Sequence, residues 1–92
     1  MKETGQMTCK IERHADGQQT TFRLIGYVQA EQLEALKAQL GSHGSGTVLD
    51  LDEVTLVDVE VVRFLGSCEA AGIAILHCPL YIREWIAREQ RQ

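Results

Sequence analysis

The sequence predicts an α/β fold: one small domain, residues 1–92, in which a mixed sheet of about four strands is covered by three helices. Three observations carry that expectation. Apolar residues alternate with period two early in the chain, then recur at helical spacing from Ala30 onward. Strand and helix signals interleave through the second half, an order that implies parallel pairing with crossover helices. The 92 residues are 45% hydrophobic and 24% charged, which suffices for one core and marks a folded chain.

The elements follow in order. Met7, Cys9 and Ile11 alternate with Thr8, Lys10 and Glu12, the pattern of a strand with one buried face. Asp16-Gly17 offers turn chemistry before a second alternating run with Phe22 and Leu24 inward, so the two strands form a hairpin. Leu33, Leu36 and Leu40 share one helical face, with Glu31, Gln32, Glu34 and Lys37 mostly off it, and Gly41 ends that helix. The run LGSHGSG at 40–46 is a flexible connection inside the domain. TVLDL at 47–51 reads as a short apolar strand, and GIAILHC at 72–78 as another. Cys78-Pro79 opens a last helix with proline at the first helical position, and Ile82, Trp85, Ile86 and Glu89 define its face. Tyr81 and Trp85 belong to that helix's core and edge packing.

The stretch TLVDVEVVRFL at 55–65 supports two periods. With period two, Val57, Val59 and Val61 form a strand face. With period 3.6, Asp58 begins a helix that turns Val61, Val62, Leu65 and Cys68 inward. The helix reading leaves fewer orphans, because it supplies the crossover that a parallel strand at 72–78 needs. Asp58 would then cap the first turn of its own helix, and Glu60 would gain from the helix dipole.

Charge and cysteine usage exclude whole classes. A net charge of −4 without a basic, aromatic-bearing face argues against nucleic acid and anionic membranes as partners. No apolar run approaches the roughly 18 residues of a membrane span, and MKETGQMT lacks a signal core, so a cytoplasmic protein without membrane insertion is expected. Cys9, Cys68 and Cys78 suit a reducing compartment. Together with His14 and His43 they fall in no ligand spacing, while His77 and Cys78, as neighbours in a strand, point to opposite faces. Cys78 at a helix start invites a lowered thiol pKa, although small, mostly buried cysteine is the commoner role. Gly41, Gly44 and Gly46 follow a helix, the wrong context for a phosphate cradle. No metal, no cofactor and no nucleophile–base pair emerges, so no enzyme activity is expected.

The pieces LIGYVQAEQLEALKAQL (24–40), TVLDLDEVTLVDVEVVRFL (47–65) and GIAILHCP (72–79) together resemble the STAS domain of sulphate transporters and anti-sigma-factor antagonists. The likeness covers about residues 20–88 and is most specific at VLDLDEVTLVD, 48–58. It implies a helix starting at Asp58 and a domain shortened at its C-terminus, without the final strand and helix many members carry. It also marks departures. Val59 stands where regulatory members have the serine that a partner kinase phosphorylates, Glu60 and Val61 replace a small residue and a glycine, and Gln29 replaces an aspartate. The resemblance implies a non-catalytic protein–protein interaction domain, an anti-sigma-factor-antagonist-like regulator or complex component not switched at the usual serine. Its partner would be an anti-sigma kinase-like or transporter-associated protein. The implied docking surface comprises Asp58, Val59, Glu60 and Arg63, with Thr55 nearby. The alternative is a small-ligand or nucleotide-binding module, with its crevice at the C-terminal ends of the parallel strands.

Overall fold

The computed structural model describes residues 9–41 and 46–91. The readings made for Met7, His43, Gly44 and most of the 40–46 connection fall outside them. The elements are β1 (Cys9–Asp16), β2 (Gln19–Val28), α1 (Ala30–Gly41), β3 (Thr47–Val57), α2 (Val59–Ala70), β4 (Ala74–Leu76) and α3 (Leu80–Gln90). They build one small α/β domain with a four-stranded mixed sheet in the order β1-β2-β3-β4. β1 is antiparallel to β2, while β2, β3 and β4 run parallel.

The β1–β2 hairpin closes with Asp16 opposite Gln19, and Gly17 at φ 64° supplies the left-handed residue that a two-residue loop requires. Alternation then aims Phe22, Leu24 and Val28 at the helices. Leu33 and Leu36 of α1, Val61, Val62 and Leu65 of α2, and Ile82 and Ile86 of α3 meet them in a single core. All three helices therefore cover one face of the sheet. The other face carries Arg23, Asp50 and Glu53, where polar contacts stand in place of apolar packing: Arg23 pairs with Glu53 at 2.6 Å, and His77 Nδ1 is hydrogen-bonded to Asp50 at 3.0 Å.

The disputed stretch resolves into both readings. Residues 55–57 close β3, Asp58 is the junction, and 59–70 are helix. β3 is thus longer than the expected strand at 47–51. It contains two bulges against β2: Arg23 faces Asp50 but Ile25 faces Glu53, and Gly26 faces Val54 but Tyr27 faces Leu56. Each bulge inserts one residue and resets the pleat, so Leu51, Val54 and Val57 all point inward at intervals of three.

The strand expected at 72–78 shrinks to Ala74–Leu76. Gly72 at φ 97° and His77 at φ 55° turn the backbone out of the strand on either side. β4 pairs with β3 only over Val48–Asp50, before the first bulge bends β3. His77 and Cys78 are accordingly not strand neighbours. Pro79, at φ −56° and ψ 145°, is the extended residue before α3 and not its first helical one, and its carbonyl accepts from the N–H groups of Ile82 and Arg83. Among the described residues no helix is long and apolar enough to cross a membrane.

Candidate functional site: the start of the second helix

Because β2 and β3 run parallel, both strands end, and both α1 and α2 begin, at one end of the sheet. The sheet ladder reaches into the junction, where Asp58 N–H donates to the Val28 carbonyl at 3.3 Å. Asp58 itself is extended, and its carbonyl accepts the first bond of α2 from Val62 N–H at 3.0 Å.

The Asp58 carboxylate does not cap its own helix, contrary to the sequence expectation. One oxygen accepts from the Tyr27 hydroxyl at 2.8 Å, and the other from the Ala30 N–H, the first residue of α1, at 3.0 Å. The reason lies at the start of α1. Gln29 precedes that helix with a side chain too long to cap it well, leaving first-turn N–H groups to be satisfied from elsewhere. Gln32 reaches back to the Gln29 N–H at 2.8 Å, and Asp58, at the neighbouring strand end, accepts from the Ala30 N–H. Its negative charge also suits the positive end of the α1 dipole. The hydrogen bond to Asp58 pushes the Tyr27 phenol above its ordinary pKa.

Val59 is half-buried at the first turn of α2, and Glu60 and Arg63 are exposed beyond it. Arg63 reaches Glu60 at 3.8 Å but holds Glu89 of α3 at 2.9 Å, so its stronger partner lies across the helix–helix contact. Phe64 packs against the core from the α1 side, with the Lys37 ammonium 5.9 Å from its ring centre. Two shallow grooves flank Arg63. One, of about 380 Å³, includes Leu33, Lys37, Glu60 and Phe64; the other, of about 280 Å³, lies between α2 and α3 along Gly66, Ala70 and Ile86.

Thr55 lies near the end of β3, three residues before Asp58. Its carbonyl accepts from the Tyr81 hydroxyl at 2.7 Å, at the start of α3, whereas Arg63 meets Glu89 near the end of that helix. Those two α3 positions are about 12 Å apart along the axis. Asp58, Val59, Glu60 and Arg63 gather at the start of α2, and Thr55, three residues before it, is tied through its carbonyl to the start of α3. Tyr27 and Ala30, which complete the junction, were missed by sequence reasoning. The signal that could have found them was a helix start preceded by glutamine, a residue that cannot cap well.

The thiols show no activation. Burial pushes Cys78 above its ordinary value, and it does the same to Cys9 and, furthest, to Cys68, which reaches about 11. Among the described residues no three His, Cys, Asp or Glu side chains converge to hold a metal ion. No family model matches the chain, and no curated protein matches it.

Proposed function

We propose that this chain is a non-catalytic protein-interaction domain of the STAS type, which docks a partner protein over the start of α2. The observation that carries the reading is the Asp58 junction. Strand, aspartate and helix follow in the order of the resembled motif, and both carboxylate oxygens are engaged in holding two element ends together. The aspartate therefore has a structural task, and Val59, Glu60 and Arg63 follow it on the first turns of α2. Val59 occupies the place of the acceptor serine, so docking would be constitutive at that position. The three free cysteines suit a cytoplasmic setting, with an anti-sigma kinase-like or transporter-associated protein as the kind of partner. The small-ligand alternative gains no comparable support. A groove of about 650 Å³ lined by Gln18, Thr47, Val48 and Ala74 lies at the N-terminal ends of β3 and β4, opposite to where open α/β sheets place ligands.

The test is co-purification of the tagged full chain from its native host, followed by titration of the purified partner. Glu60→Arg, at a site more than half exposed, should weaken the complex tenfold or more, equivalent to about 1.4 kcal/mol. A folded Glu60→Arg protein and a folded Val59→Asp protein that both bind at full strength would place the interface elsewhere.

A further inference from the structure

The edge of β1 is a second surface that the docking reading leaves unused. β1 runs for eight residues in unbroken register with β2, and on its other side it has no neighbour in the sheet among the described residues. Its backbone groups can be assigned by alternation. Thr20 N–H donates to the Gly46 carbonyl at 2.9 Å, away from β1, so the Ala15–Thr20 pair is not hydrogen-bonded across the hairpin. Cys9, Ile11, Arg13 and Ala15 therefore direct their N–H and C=O groups at the open edge. The usual blocks to edge pairing, proline, a bulge or a very short strand, are missing from β1.

What remains to deter pairing is charge, and the charges of β1 alternate in sign. Lys10 and Glu12 lie on the bare face of the sheet, 3.4 Å from one another. A second copy meeting this edge antiparallel must set outward-facing residues opposite one another, which fixes the two-fold axis on a residue of the strand. An axis at Glu12 puts Glu12 against Glu12 and Lys10 against His14, and an axis at Arg13 puts Arg13 against Arg13. An axis at Ile11 puts Lys10 against Glu12 twice, Cys9 against Arg13, and Ile11 against Ile11. Of these three registers only the last sets no like charges opposite, and it also covers Ile11, which is only partly buried in the monomer.

We propose that the protein self-associates through β1, antiparallel about a two-fold axis at Ile11, joining two sheets into one of eight strands. The pairing is short, so the dimer is weak and reversible, below the roughly 1,200 Å² of buried surface typical of stable interfaces. It is independent of the α2 surface.

Sedimentation equilibrium of the full chain over about 10 µM to 1 mM tests it, a range matched to a weak interface. The wild-type protein should dimerise, and dimerisation should weaken with added salt. Lys10→Glu and Glu12→Lys should each raise the dimer dissociation constant tenfold or more, while the double swap, Lys10→Glu with Glu12→Lys, should return it close to the wild-type value. Circular dichroism confirms that each variant is folded. A protein that stays monomeric throughout, or a dimer indifferent to the single swaps, overturns the proposal, as does a double swap that fails to restore pairing.

Discussion

The carboxylate of Asp58 joins two residues from a different part of the chain, accepting from the Tyr27 hydroxyl at 2.8 Å and from the Ala30 amide at 3.0 Å. One side chain thereby ties the end of β2 and the start of α1 to the start of α2. Hydrogen bonds to a charged group are worth about 1.5–3 kcal/mol where shielded and less where exposed. Asp58→Ala should cost about 2 kcal/mol, because it removes two hydrogen bonds to a charged acceptor, and Tyr27→Phe, which removes one, should cost less. For a domain of this size the first corresponds to a fall in Tm of roughly 8–16 °C. Thermal melts of both variants and of the double variant check this, and the double should be less damaged than the sum.

Cys68 makes stability sensitive to alkali. Burial raises its thiol pKa to about 11, above the value of a thiol in the unfolded chain. A raised folded-state pKa means that the folded protein holds its proton more tightly. The associated stability is complete below about pH 9 and is lost as pH rises toward 11, amounting to about 2 kcal/mol. Urea midpoints should fall across that window in the wild type and fall less in Cys68→Ala, which starts from a lower stability. The raised Tyr27 and Tyr81 phenols act in the same direction at higher pH, so the tyrosine absorbance titration should lie above that of the denatured chain.

Arg63 separates surface charge from stability. Its bond to Glu89 is exposed on the Arg63 side, so Arg63→Ala should lower the Tm only slightly, and Glu60→Ala should be nearly neutral. Arg63→Glu should cost more than Arg63→Ala by setting like charges together, and Arg63→Glu with Glu89→Arg should recover the difference. Melting curves of the four proteins decide it. Reversing Glu60 and Arg63 together is therefore not a neutral probe of binding, since it leaves Glu89 facing a glutamate.

Two glycines should respond oppositely to alanine. In Gly66 a new Cβ would meet the Gln90 side-chain amide at 3.0 Å and Ile86 at 3.5 Å. The amide end of Gln90 can swing away, giving up only a long bond of 3.4 Å to the Gly66 carbonyl. Gly66→Ala should then stabilise by about 0.5–1 kcal/mol through helix propensity. In Gly46 the Cβ would stand 2.6 Å from the Gln18 carbonyl oxygen, on a backbone at φ 84°. Gly46→Ala should destabilise by about 1–3 kcal/mol. Chemical denaturation of the pair gives both signs in one experiment.

The helices were legible because their spacing has one meaning. Leu33, Leu36 and Leu40, Val61, Val62 and Leu65, and Ile82 and Ile86 are all buried as the pattern requires. Phe22 and Leu24 made β2 equally plain. The second half of β3 was not, because its bulges convert a strand's period of two into intervals of three at Leu51, Val54 and Val57. That series continues into Val61 and Leu65 as though one helix ran throughout. At the candidate site, the junction at Asp58 could be read, but the target of its carboxylate could not. The target depends on a parallel pairing that brings residue 30 beside residue 58, and no local pattern encodes it.

The strands lie in the sheet in the same order as in the chain, and this has a consequence for assembly. Each new strand is added at the growing margin and never inserted between two already paired. A chain emerging from its N-terminus could close the β1–β2 hairpin first, a local and inexpensive contact, and then lay down α1–β3 and α2–β4 as successive increments. No step requires an earlier pairing to be undone. α3 then brings Ile82 and Ile86 to the core, so that side of the interior stays open until this helix has been made.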